Sequence, residues 1–356
     1  MRFIGSKERL RDHILEYIVR KVGDINGMTV ADLFSGTATM SRLFREKGCS
    51  VIANDNLSFC ATLARASLFA REDQGLFKKL VEYEGLNEGD VRDTDAYDLV
   101  LNYLNHIEPK QGFVFREYSP DGTEDAEFQR RYFSGSNASR IDAIRCQIGI
   151  WANRSLINST EESLLLSSLI VATNRVANTS GTYGAFLRKW DKRALRRIRL
   201  ERFYVPKIDW KEVHKVFQTD TLDLAPSVEA DIAYLDPPYN WRHYGAYYHI
   251  LETIVHGDEP LVTGKTGIRP WKHTASPFCY KDQAAEALDL LLSRLSCEHV
   301  FLSYNAEGLI SHDEILDTMT KYGIVDYVDV QFQRYKSNSG GTGETRVKER
   351  LYYVQK

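Results

Sequence analysis

The segment with the most chemistry per residue is Asp236-Pro237-Pro238-Tyr239. A carboxylate accepts hydrogen bonds, two prolines stiffen the backbone and remove its N–H groups, and a phenol ring stacks on flat partners. Together they suit a planar exocyclic amine of the kind carried by a nucleobase. Asp236 accepts one N–H, a carbonyl before or within the diproline accepts the other, and Tyr239 lies against the ring. Such an amine is a weak nucleophile because its lone pair is delocalised. Two fixed acceptors favour a more tetrahedral nitrogen, and their attraction grows as positive charge develops there during attack. With a sulfonium methyl as electrophile, neither a metal nor a covalent enzyme intermediate is needed. An ordinary aspartate pKa of about 4 leaves open whether Asp236 also takes the proton.

The elements that must hold this tetrapeptide are legible around it. Ile232-Ala-Tyr-Leu235 is a buried-type strand, and two prolines cannot continue a central strand, so the tetrapeptide is a rigid loop at its carboxyl edge, where open α/β sheets place ligands. Met28–Phe34 is a second apolar strand that runs into Ser35-Gly36-Thr37. Helical spacing follows at Met40, Leu43 and Phe44, then a stop at Gly48 and a third strand at Ser50–Asn54. Strand, glycine turn, helix, strand is the opening βαβ unit of a parallel sheet. Gly36 lets backbone approach a ligand, but G-x-G-x-x-G and G-K-[ST] are both missing, which disfavours pyrophosphate and triphosphate. Asp55 ends the third strand where an acid accepts from both ribose hydroxyls in nucleotide-binding sheets; a strand-end aspartate bonded to its own loop is the other reading.

Helical spacing recurs over Phe59–Leu80, and strongly over Phe128–Leu200, where Ile141, Ile144, Ile148 and Trp151 precede an apolar run to Val176. The middle section therefore reads as a mainly helical insertion. The parallel pattern resumes with helices around Tyr248–Val255, Ala284–Ser296 and His312–Lys321 and strands at His299–Tyr304, Val325–Phe332 and Arg350–Val354. Ser337–Gly343 reads as a solvated hairpin turn or a binding loop.

A length of 356 residues fits one large domain with an insertion, or two domains. Against 49 Asp and Glu stand 46 Lys and Arg, a net charge of −3 that excludes a polybasic coating; an acidic partner must meet a local basic face. That face is Arg188–Arg202, which holds Arg188, Lys189, Lys192, Arg193, Arg196, Arg197, Arg199 and Arg202 against Asp191 and Glu201. Duplex phosphates are its natural partner, and Arg130, Arg131 and Arg140 form a looser group. The five cysteines show no C-x-x-C pair and no metal-ligand spacing with histidine, so no metal is expected. The apolar run Ser163–Ala172 falls well short of the ~20 residues a membrane helix needs. Met1–Arg11 is charged where a signal peptide is apolar. A cytoplasmic protein, with no membrane partner, is the expectation.

The order of these parts resembles the D12 class of S-adenosylmethionine-dependent DNA adenine N6-methyltransferases, the class of the Dam enzymes, and most of all its FokI-type restriction-modification members. The resemblance rests on Phe3-Ile-Gly-Ser-Lys7, Phe34-Ser-Gly36, Asp55, Asp220 in Phe217-Gln-Thr-Asp220, the tetrapeptide at Asp236, Phe301–Asn305 and Arg334–Asn338. It implies a Rossmann-like class I methyltransferase sheet with helices on both faces, with residues 1–100 and 210–356 binding S-adenosyl-L-methionine and an inserted, mainly helical target-recognition subdomain at 101–209. By resemblance, Phe3, Lys7, Asp32, Phe34, Gly36, Asp55 and Asp220 bind the cofactor, with Lys7 near its carboxylate and Asp220 at its adenine. Asp236, Pro237, Pro238 and Tyr239 form the catalytic loop. Tyr244 and Tyr247 line the pocket of a flipped adenine, although on their own they read equally well as core of the following helix. Arg130, Arg131, Arg140, Lys189, Lys192, Arg193, Arg196, Arg197 and Lys336 are the candidate DNA contacts. Double-stranded DNA is then the partner, with a cognate restriction endonuclease or a second methylase beside it, and a monomer or weak dimer is expected.

Three functions stay open on the residues alone. The first is adenine N6 methylation of duplex DNA. The second is methylation of another planar amine, such as RNA adenine, cytosine N4 or a protein amide. The third is an inactive DNA-specificity subunit, against which the intact set Lys7, Gly36, Asp55, Asp220 and Asp236 argues.

Overall fold

Four short apolar runs make the centre of the molecule's sheet. β1 (Thr29–Asp32), β2 (Ser50–Asn54) and β4 (Ile232–Leu235) are almost wholly buried, β3 (Lys215–Phe217) less so. Near-continuous burial is what a parallel strand covered on both faces requires. β1 lies between β2 and β4, with Val30 opposite both Val51 and Ile232. The computed structural model describes residues 3, 5, 7–71, 74–86, 95–203, 213–333 and 346–356. Among them the sheet continues through β5 (His299–Asn305), parallel to β4, and ends in an antiparallel pair, β6 (Ile324–Gln333) and β7 (Arg346–Gln355). The order is β3-β2-β1-β4-β5-β7-β6. The chain runs outward from β1 to β3 and then returns to β4 on the other side of β1. That reversal leaves a crevice at the carboxyl ends of β1 and β4, the place where such sheets bind ligands.

Side-chain alternation divides the sheet into two covered faces. On one, Ala31, Leu33, Ala233, Leu235, Val300 and Leu302 are buried in one core with Leu288, Leu291 and Leu292 of the helix Ala284–Arg294 and Ile315 and Met319 of the helix His312–Met319. On the other, Tyr234 meets Phe44 of the helix Thr39–Glu46 edge-on at 6.0 Å, and Phe301 meets Tyr17 of the helix Arg11–Val22 at 5.9 Å. This is the Rossmann-like class I arrangement, helices on both faces, that the family resemblance implies.

The chain divides into two units, each built from three stretches of sequence. The sheet belongs to the unit made of Gly5–Ala64, Trp210–Gly245 and Lys272–Lys356; the other comprises Met1–Ile4, Arg65–Asp209 and Ala246–Trp271. The second unit therefore draws on residues beyond the 101–209 expected of the insertion. It is organised by the helices Ala96–His106, Gly135–Asn153, Ser159–Val176 and His249–His256. The first three start on the caps Asp95, Ser134 and, in a capping box with Glu161, Asn158, each side chain satisfying amides that the first turn leaves open. No helix in the described residues is long and apolar enough to cross a membrane.

The helical expectation for Phe128–Leu200 holds only between Gly135 and Val176. Beyond it the chain is irregular to Phe203, because Asn178-Thr-Ser-Gly-Thr-Tyr-Gly184 is turn chemistry and two asparagines take over the work of a ladder. Asn178 Nδ2 donates to the carbonyls of Arg131 and Leu187 at 3.0 Å, and its Oδ1 accepts from the Asp191 amide at 2.9 Å. Asn137 bridges the carbonyls of Ala194 and Arg196 and the amide of Ile198. The helix Arg11–Val22 and the strand β3 are elements the sequence reading did not place.

Candidate active site

Asp236 leaves the carboxyl end of β4, and its carboxylate belongs to a cluster of buried charges. Lys7 Nζ lies 2.7 Å from Asp236 Oδ1 and 2.9 Å from Oε1 of Glu349 on β7. Ser303 on β5 donates its hydroxyl to the same Glu349 oxygen at 2.6 Å. Lys7 is 5% exposed and Glu349 2%, whereas the Asp236 side chain keeps 16% of its surface open. Burial alone would lower the pKa of the Lys7 ammonium, but Asp236 and Glu349 outweigh it and hold it well above 10.5. Burial raises the pKa of the Asp236 carboxyl; Lys7 opposes that rise and the charge of Glu349 adds to it. Behind Asp236, the Tyr239 carbonyl accepts from the Leu309 amide at 2.9 Å and its ring meets Tyr304 edge-on at 6.4 Å. Gly5, at φ +77°, comes so close that a Cβ there would stand 3.3 Å from the Tyr244 hydroxyl and 4.0 Å from the Tyr239 ring. The loop is thus fixed from its backbone, its ring and its charge.

A second group of carboxylates stands at the carboxyl ends of β1, β2 and β3. Asp32 is buried; Ser41 donates to its Oδ2 at 2.5 Å, while Oδ1 is buried with no hydrogen-bond partner. Burial first, then repulsion from Asp236 and Asp55, pushes its pKa up to about 7 against the Ser41 bond. Asp55 accepts from the Gly36 amide through Oδ2 at 2.9 Å and from the Leu57 amide through Oδ1 at 3.0 Å. Gly36 sits at φ +50°, a conformation costly for any residue with a Cβ. Asp220 caps the short helix Thr221–Leu224 through the Leu222 amide at 2.8 Å. Asn54 ties these loops together by donating to the carbonyls of Leu33 and Thr219. Phe34 lies edge-on to Phe278 at 5.5 Å.

The sequence matches the family described as D12 class N6 adenine-specific DNA methyltransferase over residues 3–317. The chain belongs to this family. It is 36% identical over 365 residues to Type II methyltransferase M.FokI of Planomicrobium okeanokoites, covering 100% of this chain and 53% of that protein. To modification methylase StsI of Streptococcus sanguinis it is 33% identical, covering 100% of this chain and 52% of the relative. The chain thus spans about half the length of these two relatives. With Type II methyltransferase M.NlaIII of Neisseria lactamica it shares 32% identity over 95% of this chain and 93% of that protein. Among solved structures, a magnesium protoporphyrin IX methyltransferase from Synechocystis aligns at TM-score 0.37 and 7% identity, covering 99% of this chain and 81% of that one.

Within this D12 chain the structure gathers Lys7, Asp32, Phe34, Gly36, Asp55, Asp220 and the loop Asp236–Tyr239 in the sheet unit. Phe3 lies in the other unit, stacked on Tyr248 at 4.7 Å. Lys7, expected near a cofactor carboxylate, has its ammonium between two carboxylates of the protein. Tyr244 stands beside Gly5 in the sheet unit, whereas Tyr247 belongs to the helical unit, where its ring lies 3.2 Å from the position a Cβ on Gly184 would occupy. The basic residues divide by exposure. Lys189, Lys192, Arg196 and Arg197 are exposed; Arg193 is held by Asp191. Arg131 donates to the Arg188 carbonyl at 3.1 Å. Arg130 and Arg140 are turned toward protein partners. Both are buried, Arg130 donating to Glu117 at 2.7 Å and to the Gly264 carbonyl, and Arg140 to the Asn105 carbonyl, so their donors brace loops and do not face solvent. Lys336, with Arg334–Asn338 and Ser337–Gly343, lies outside the described residues. Glu349 is the site residue that sequence reasoning missed. Its signal was faint: an acid in the same alternation as the inward-facing Leu351 and Tyr353.

Proposed function

We propose that this chain transfers a methyl group from S-adenosyl-L-methionine to N6 of an adenine extruded from duplex DNA, at a specific sequence, as the protective methylase of a restriction-modification system. The observation that carries the reading is Asp236, a carboxylate paired with Lys7 at 2.7 Å, partly open, and fixed at the carboxyl end of the central strand β4. Family membership supports adenine over other planar amines, and the names of the relatives support the protective role.

The residues present fit the cofactor. The unpartnered, buried Oδ1 of Asp32 is an acceptor awaiting a cationic or N–H donor, which the α-amino group of the methionine moiety supplies. Asp55, whose carboxylate accepts from the Gly36 and Leu57 amides, would also accept from ribose hydroxyls, and Asp220 stands beyond the end of β3 for the adenine amine. When bound, the cofactor would supply a sulfonium methyl to N6 and leave as the neutral thioether, the displaced N6 proton passing to solvent directly or by way of Asp236. The protein's part is positional and electrostatic. Asp236 and a carbonyl of the diproline loop accept the two amine hydrogens, and Tyr239, immobilised by Leu309 and Tyr304, stacks on the base. Extrusion costs a few kcal/mol, part of which aromatic contact returns. The exposed Lys189, Lys192, Arg196 and Arg197 serve as phosphate contacts.

Methylation of a mixed-sequence plasmid with labelled cofactor, followed by modification-sensitive sequencing, tests the reading. N6-methyladenine at one short recurrent sequence is expected. Label on cytosine, on RNA only, or on no nucleic acid despite cofactor binding overturns it.

A further inference from the structure

We infer that Glu349 is a positioning residue of this site: it engages the Lys7 ammonium so that Asp236 presents uncompensated negative charge to the amine. The inference rests on the methyltransferase reading above and names a residue that reading does not require.

A lysine paired with Asp236 alone would leave a neutral couple facing the nitrogen. As positive charge grew on that nitrogen, attraction to the carboxylate would be cancelled in large part by repulsion from the ammonium. The structure holds a different arrangement. Nζ of Lys7 is shared between two carboxylates at nearly equal distance, 2.7 and 2.9 Å, and the group of three carries one net negative charge. Its most exposed member is Asp236, at 16%; Lys7 and Glu349 are buried. Ser303 fixes Glu349 at 2.6 Å from the floor of the sheet, and β7 places it opposite Asn305 of β5. Among the described residues the other titratable groups facing the cluster are Asp32 on β1, Tyr234 on β4 and Tyr239 in the loop, none of them cationic, with the Arg242 guanidinium acting on Tyr239. A buried ion cluster of this kind is a costly way to fill space, since apolar side chains of the same volume often do it better. The surplus charge instead strengthens as the transition state forms.

The test is Glu349→Gln, which keeps an acceptor for Lys7 and Ser303 and removes the charge. kcat for duplex methylation is expected to fall by about tenfold or more, with KM for cofactor and DNA within about twofold. Because the Glu349 charge holds the Asp236 pKa up, the acid limb of the kcat profile moves to lower pH, which a packing role would not produce. Glu349→Asp retains the charge and restores most of kcat. An active wild-type protein whose folded E349Q variant keeps its kcat and its acid limb overturns the inference alone; a wild-type protein that methylates no duplex overturns the parent reading and this one with it. Should E349Q melt far below wild type, E349D decides: a folded E349D variant as impaired as a packing mutant, with tenfold lower kcat, removes the charge argument.

Discussion

Asp236→Asn separates charge from shape at the proposed reacting centre. The amide keeps an oxygen where Lys7 needs one and fills the same volume. Lys7 retains Glu349 at 2.9 Å, so no ammonium is left buried alone, and the melting temperature should stay within a few degrees of wild type. What disappears is the negative charge facing the amine. Removal of one preorganised electrostatic group at a transition state costs about 2.7–4 kcal/mol, which at 1.36 kcal/mol per factor of ten is about 10²–10³ in kcat. Lys7 and Glu349 then neutralise each other, so no other charge of the cluster makes good the deficit. Asp32, Asp55 and Asp220 are untouched, so cofactor affinity by calorimetry should hold within about threefold. The assay is the initial rate of labelled methyl transfer into a duplex pool at saturating cofactor. A variant that turns over within threefold of wild type, or whose loss lies wholly in KM, refutes the electrostatic account.

Asp32, with its pKa pushed up to about 7, holds a proton in the folded protein that the unfolded chain releases near pH 4. Stability should therefore fall as pH rises from about 4 to about 7, by up to about 4 kcal/mol from this group, and level off above; Asp32→Asn should flatten that slope in thermal melts and weaken cofactor binding. Lys192→Ala and Arg196→Ala should leave the melting temperature unchanged and each reduce the salt-dependence slope of duplex binding by about 1. Arg130→Ala should do the reverse, destabilising the helical unit by about 1–3 kcal/mol because the hydrogen bonds to Glu117 and the Gly264 carbonyl are lost, with the slope of the folded fraction unchanged. Gly5→Ala, at φ +77° with its Cβ 3.3 Å from the Tyr244 hydroxyl, should cost about 1–2 kcal/mol and depress methylation by shifting Tyr244.

The parts of this architecture that a reader of the sequence can find are those where one short run must satisfy two demands. Ile232–Leu235 followed by two prolines admits a buried strand ending in a rigid loop and little else, and Asp55 and Gly36 fall into place from it. The helices Ala284–Arg294 and His312–Met319 and the strands β5 and β6 were likewise visible from period alone. Charge patterning could not set Arg130 and Arg140 apart from the exposed basic residues, because it reports composition, and only the fold shows that Glu117, Gly264 and Asn105 come to meet their donors. The irregular run after Val176 misled because its order comes from the side chains of Asn137 and Asn178, contacts that no local periodicity records. Glu349 was hidden for the same reason, its meaning depending on a lysine at the far end of the chain.

That separation has a kinetic consequence. The ring closed by Lys7 and Glu349 encloses more than three hundred residues, and Asp236 sits inside it. Closing so large a loop costs configurational entropy before any contact rewards it, and topologies dominated by such distant pairings fold slowly. During synthesis the loop at Asp236 must wait, its lysine bound to one carboxylate, until β7 has emerged and zipped against β5. Competence for methyl transfer should consequently be among the last properties a refolding chain acquires, well after its helices have formed.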